Sequence, residues 1–290
     1  MQMVSRIGDI LPGIAEFPPI IKKDDPFGGT YMGDGVVMTR IWTTHLLRLS
    51  SGDMLVTPHL LTLGINEPHN TRLLASLIQP QDVFVDVGAN IGYFSVIGAW
   101  RAWPGGQVWS FEPHPKLYAL LSDNMTINGY EAIAHRHRLA LSDRSGTATM
   151  RIFEGYEATS TIRDVPDDFV RHTEQQTGRL SRTIEVDVVR LDDIMRDVPE
   201  IHVMKIDAEG HEPAVIRGAV EILRRSRNIR IVMEFVPFIM GLPEAAAHLA
   251  LCRELGFAIY RIETDASLIR HDDDGVLLGI GFSDLFLVRD

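Results

Sequence analysis

A single cysteine, Cys252, stands in 290 residues. No internal disulfide can form, and no paired-cysteine metal site can be assembled. Positive charge is scarce: 28 Lys and Arg face 39 Asp and Glu, for a formal net charge of −11. Basic residues pair up only at Lys22-Lys23 and Arg224-Arg225. That pattern speaks against a nucleic-acid partner. No apolar run approaches the roughly 20 residues of a membrane span, so no membrane association is expected. The first 17 residues mix charge, glycine and proline without an uninterrupted apolar core, so they do not read as a signal peptide, and a cytoplasmic location is expected. Lysine is rarest of the charged types, occurring only at positions 22, 23, 116 and 205.

What is present is 45% hydrophobic composition, enough for one large domain and an appendage. Residues 1–66 read as an N-terminal cap of short strands and loops. Turn signals stand at Asp24-Asp25-Pro26-Phe27-Gly28-Gly29 and Gly33-Asp34-Gly35, with strands expected at 36–41 and 54–56. Residues 67–290 read as the main domain. Asn66-Glu67-Pro68 has the form of a helix start, followed by an apolar stripe at Leu73, Leu74, Leu77 and Ile78. Strands at 82–87, 107–111, 133–140, 201–206 and 229–235 then alternate with helices at 91–102, 115–127, 212–225 and 243–255. This alternation predicts an α/β fold, a mostly parallel sheet with helices on both faces. Strands at 257–262 and 284–288 have no predicted helix between them, which suggests an antiparallel edge pair. An insertion at about 144–200 interrupts the alternation, with strands at 147–153 and 183–190 around a polar loop, 154–182. His135 and His137 alternate along one strand face and read as partly exposed sheet residues.

Three constellations carry chemistry. The first is Asp86-Val87-Gly88-Ala89-Asn90-Ile91-Gly92, where a strand ends in a glycine-rich turn that opens a helix. A carboxylate at the mouth of that turn repels a pyrophosphate and attracts a cation, which favours S-adenosylmethionine over a nicotinamide dinucleotide. The second is Glu112-Pro113: an acid at the next strand end, about 20 residues past the turn, suits a ribose diol. The third is Lys205-Ile206-Asp207-Ala208-Glu209-Gly210-His211-Glu212, five ionisable groups in eight residues where a strand hands over to a helix. Helix-start electrostatics accounts for Glu209 and Glu212 but not for Lys205, Asp207 and His211 together.

Together with Leu139-Ala140-Leu141-Ser142-Asp143 and Leu191-Asp192-Asp193-Ile194, these pieces resemble, in order, the FkbM family of S-adenosylmethionine-dependent methyltransferases over about residues 67–235. The resemblance implies a class I, Rossmann-like fold with a seven-stranded sheet. It also implies O-methylation of a hydroxyl on a sugar, glycan or polyketide-type product. By that analogy Asp86, Gly88, Asn90, Gly92, Tyr93, Phe94, Glu112 and Pro113 line the cofactor, Leu141, Ser142 and Asp143 border its adenine, and Asp207 lies beside the transferred methyl group.

An aliphatic hydroxyl needs a general base, and His211, Glu209 and Glu212 are candidates. Lys205 would orient a carboxylate or stabilise the developing oxyanion. Glu234, at a neighbouring strand end, and Tyr156 are expected to touch the acceptor. Asp207, Glu209, His211 and Glu212 could instead offer ligands to Mg²⁺ or Mn²⁺, a use that the spacing does not favour. The polar segment 154–182, with Arg163, Arg171, His172 and Arg179, could cover the acceptor as a lid. The expected partner is a small-molecule or glycan acceptor, and a homodimer is compatible with the sequence. Two rivals are a nicotinamide-dependent oxidoreductase, which would want Gly-x-Gly-x-x-Gly, and a silent cofactor-fold module that binds a partner.

Overall fold

A computed structural model describes residues 4–17, 28–165 and 167–289. Lys22-Lys23 and the Asp24 to Phe27 part of the first turn signal lie outside the described residues. Among the described residues the main sheet has nine strands, in the spatial order Val4–Ser5, Leu268–Arg270, Phe257–Ile262, Ser283–Arg289, Arg230–Phe235, Val203–Ile206, Val83–Val87, Gln107–Phe111 and Ala134–His137. The last five pair in parallel and the first five antiparallel.

Alternation along each strand divides the core between two faces, because successive side chains point opposite ways. Phe84, Val203, Val232 and Phe286 pack on one side under the helices Pro68–Leu77, Tyr93–Ala102 and Pro115–Ile127. Val85, Met204, Met233 and Leu287 pack on the other, under Glu212–Arg217, Val220–Arg225 and Leu242–Glu254. The result is the Rossmann-like α/β sandwich that the alternation predicts, with a crevice at the carboxyl ends of the parallel strands.

Several expectations are corrected. The sheet is wider than seven strands and only half parallel. The strand Ser283–Arg289 pairs antiparallel with Phe257–Ile262 as expected, but not at the edge of the sheet. It inserts antiparallel between that strand and Arg230–Phe235, and Leu268–Arg270 and a short helix, Asp274–Leu278, fill the connection. Residues 54 and 55 bend into the helix Val56–Leu63, which takes the place of the strand expected at 54–56. The helix expected at 212–225 breaks at Gly218-Ala219, where a Cβ on Gly218 would lie 1.9 Å from the Ser142 carbonyl oxygen. The polar loop 154–182 contains the helix Asp167–Thr177, and a three-stranded sheet (Ala140–Leu141, Ser181–Val189, Gly146–Phe153) frames it. His135 and His137 are partly exposed as expected, and both stack on Trp109.

The N-terminal region packs against the rest of the chain. Its three-stranded sheet, Gly29–Gly33, Val36–Arg40 and Leu46–Ser50, buries Leu47 and Leu49 in the same cluster as the main-domain helices. Phe17, Trp42 and Trp100 meet edge-to-face at 5.4–5.9 Å, the geometry that ring quadrupoles prefer. Asn124 ties the two parts together. Its side-chain oxygen accepts the Arg48 N–H at 2.6 Å, and its amide donates to the carbonyls of Arg48 at 3.0 Å and Ile91 at 2.8 Å. The side chain is fully buried, so Asn124→Ala strands three backbone groups without water. The expected loss is about 2–4 kcal/mol, read as a lower urea midpoint at an unchanged slope. A shift under about 0.5 kcal/mol would contradict this account.

Candidate active site

The strand Val83–Val87 ends against the turn Gly88-Ala89-Asn90. Both the Gly88 and Ala89 N–H groups donate to the Phe111 carbonyl at 3.0 Å, which locks the turn to the neighbouring strand. Gly88 has φ +71°, and a Cβ there would lie 1.8 Å from the Asp207 carbonyl oxygen. Only glycine admits both that conformation and that approach. Glu112, at the end of Gln107–Phe111, accepts the Asn90 N–H at 2.8 Å and the His114 N–H at 2.8 Å. Burial pushes its carboxyl up to about 7.

A cavity of about 520 Å³ opens over these strand ends, within the usual range for small-molecule sites. The strand-end turns contribute Gly88, Ala89, Asn90, Glu112 and Pro113 to its lining. Glu67, His69, Lys205, Asp207, Glu209, Glu234 and Asp284 add a cluster of charged groups. Lys205 stands next to Asp86 in the parallel register, so their side chains share a face. Its ammonium donates to Asp207 at 2.8 Å and lies 4.6 Å above the Phe94 ring. The carboxylates of Asp207, Glu67 and Asp86 overcome the cost of burial and keep Lys205 charged.

Sequence comparison agrees with this geometry. A family profile described as "Methyltransferase FkbM domain" matches residues 86–259. The chain belongs to the FkbM methyltransferase family. The 31-O-demethyl-FK506 methyltransferase FkbM of Streptomyces tacrolimicus is 31% identical over 208 residues, 63% of this chain and 75% of that protein. Methyltransferase sdnD of Sordaria araneosa is 30% identical over 156 residues, 47% of this chain and 60% of its own length. The hexuronic acid methyltransferase AglP of Haloferax volcanii is 29% identical over 165 residues, 56% and 59% of the two chains. The match thus spans about three fifths of sdnD and of AglP.

In this FkbM-family chain the cavity gathers Gly88, Asn90, Tyr93, Phe94, Glu112, Pro113, Leu141, Lys205, Asp207, Glu209, His211 and Glu234, all expected at the site. Other expected residues lie behind it. Asp86 is fully buried and accepts the Ser95 hydroxyl at 2.6 Å, so it reaches the cavity only as a field through Lys205. Gly92 precedes the helix Tyr93–Ala102 and packs on Leu121. Ser142 bonds His211 Nε2 at 3.1 Å, and Asp143 pairs with Arg217 at 2.9 Å. Tyr156 stays out of the cavity, whereas its neighbour Glu157 lines it and pairs with Lys116 at 2.9 Å.

The surroundings of two base candidates bear on that role. Glu212 is fully buried, and one carboxylate oxygen accepts the N–H groups of Ala208 at 2.8 Å and Gly210 at 3.2 Å. It shapes the turn instead of facing the acceptor, and burial raises it to about 7. His211 is lowered by burial to about 4, which makes it a weak base. The disfavoured metal set of Asp207, Glu209, His211 and Glu212 is not among the ligand groups that the described residues bring together. Asp207, Glu209 and Glu234 do bring carboxylate oxygens within 4.8 Å of one another, and a cation could sit there beside an ammonium that already balances part of the charge. Of the basic residues expected in a lid, Arg163 donates to the Gly210 carbonyl at 3.2 Å and pairs with Glu244 at 2.9 Å, and Arg171 pairs with Asp168. Neither faces an acceptor. Ile162, Ala158 and Ser160 border the cavity in their place.

Glu67, His69 and Asp284 were not expected at the site. Asn66-Glu67-Pro68 reads as a plain helix start, yet Glu67 has φ +42° and accepts the side-chain amides of Asn66 at 3.0 Å and Asn70 at 2.9 Å. Polar residues crowding a proline before an apolar stripe were the available signal.

Proposed function

We propose that this chain is an S-adenosylmethionine-dependent O-methyltransferase acting on a hydroxyl of a small-molecule or glycan acceptor. The observation that carries the reading is the pairing of the Gly88 turn with Glu112 at the adjacent strand end, opening onto a cavity that also gathers acidic side chains around one ammonium. The residues fit the cofactor. Glu112 would hold the ribose hydroxyls, the Gly88 and Asn90 backbone would border the methionine part, Leu141 and Pro113 would border the base, and the acidic cluster suits a sulfonium. Bound there, the cofactor would supply an electrophilic methyl group to the acceptor oxygen.

The chain supplies position and charge. Lys205 holds Asp207 in place and balances the cluster, and Glu209, Glu234 and Glu67 offer hydrogen-bond acceptors to a polyhydroxylated acceptor. Relatives named for 31-O-demethyl-FK506 and for a hexuronic acid support a hydroxyl-bearing acceptor without choosing between them.

Calorimetry with S-adenosylhomocysteine tests the reading and its pH dependence together. Glu112 binds a diol best as a carboxylate, and its carboxyl is raised to about 7. Ligand affinity should therefore hold above pH 7.5 and weaken by up to about tenfold on going from pH 8 to pH 6. Binding that is flat over this range would remove Glu112 from the ribose, and no binding at any pH would remove the proposal.

A further inference from the structure

We infer that His69, oriented by Asp284, takes the proton from the acceptor hydroxyl. The inference rests on the methyl-transfer reading above and gives it the base that His211 and Glu212 do not provide.

His69 is the second residue of the helix Pro68–Leu77, and Asp284 lies in the strand Ser283–Arg289, 215 residues further along the chain. His69 Nε2 and Asp284 Oδ2 are 2.8 Å apart. The carboxylate thereby fixes the tautomer: Nε2 carries the hydrogen and donates it, which leaves the Nδ1 lone pair available. Among the described residues Nδ1 has no hydrogen-bond partner, and the ring, 22% exposed, lines the cavity. Asp284 is directly opposite Glu234 in the antiparallel register, so the pair stands beside the acidic cluster around Lys205.

The surrounding charges act in the same direction. Burial opposes protonation of the ring, but the hydrogen bond and charge of Asp284 and the charge of Glu67 outweigh it, and His69 is raised above its ordinary value. Glu209 and Glu234 are pushed well above the carboxylate range by burial and by neighbouring acids. That cluster resists ionising as a whole, whereas an imidazole backed by a carboxylate gains a proton readily. In the step itself the hydroxyl O–H bond breaks, its electron pair stays on the oxygen that bonds the methyl carbon, and the proton goes to Nδ1. The imidazolium that forms is held by Asp284.

The test compares the wild type with His69→Gln and Asp284→Asn. S-adenosylhomocysteine affinity, by calorimetry, should be the same in all three. NMR of the imidazole, assigned by its absence in His69→Gln, should show His69 titrating above the ordinary histidine value in the wild type and at lower pH in Asp284→Asn. With methyl glycosides as acceptor probes, kcat should fall about 100-fold or more in His69→Gln. The acidic limb of the pH profile should move to lower pH in Asp284→Asn. Identical titrations in the wild type and Asp284→Asn, turnover of His69→Gln within threefold of wild type, or loss of cofactor affinity in His69→Gln would each overturn the inference. If no glycoside is turned over, the NMR titration decides alone. A wild type that binds no S-adenosylhomocysteine would instead remove the methyl-transfer reading, a different failure read in a different tube.

Discussion

Gly88→Ala should abolish measurable S-adenosylhomocysteine binding. The added Cβ would lie 1.8 Å from the Asp207 carbonyl oxygen and 2.9 Å from its carbonyl carbon, so backbone must move. Neither side is free to yield. The Asp207 N–H donates to the Val87 carbonyl at 3.1 Å, and the next N–H, on Ala208, is held by Glu212. On the other side, the Gly88 and Ala89 N–H groups are tied to Phe111. Left-handed backbone costs an alanine about 1–2 kcal/mol by itself, and displacing the turn from Glu112 adds the loss of the ligand contacts. Gly129→Ala separates the two effects. Gly129 also has a left-handed φ, +78°, but a Cβ there meets nothing within 4 Å. It should lose about 1 kcal/mol of stability with unchanged ligand affinity. Equal behaviour of the two variants would show that conformation, not the close approach, sets the requirement at Gly88.

Lys205→Met should lose about 3–5 kcal/mol of stability near neutral pH, because it leaves buried carboxylates without their partner. Methionine replaces most of the side-chain volume, so packing against Phe94 largely survives. The loss should shrink in acid. Asp86 and Glu67 are already raised by burial, and Lys205 is the opposing influence that lowers them. Without it they rise further. A carboxyl whose folded value lies above its unfolded value destabilises the fold once pH exceeds the unfolded value, and the penalty fades as pH falls back toward it. Urea midpoints of wild type and variant should therefore differ most at pH 7.5 and converge toward pH 5. A difference independent of pH would mean that the ammonium acts through packing alone.

The parallel half of the fold and the gathering of the Gly88 turn and Glu112 at one cavity were legible in the sequence because both are local. A strand, a glycine turn and a helix follow one another within a dozen residues, and Glu112 follows at a spacing set by the helix between. The strands at 107–111 and 257–262 and the helix at 115–127 fall where periodicity placed them. The misplaced features are those set by distant contacts. Ser283–Arg289 reads as an ordinary final strand, and nothing in it says that it enters between two earlier ones. The burial of His211 and its bond to Ser142 are set by residues far away in sequence. Asp86 looks like a cavity wall, but sheet register turns it toward Ser95 and Lys205. Glu67, His69 and Asp284 come together only through tertiary folding, and the loop expected at 154–182 hides a helix because its apolar positions are few.

The hydrogen bond between His69 and Asp284 joins two stretches that flank the family-matched residues 86–259 on opposite sides. Neither residue lies inside that span, so a fragment cut to residues 86–259 would lack both. Its crevice would lose the proposed base together with the carboxylate that orients it.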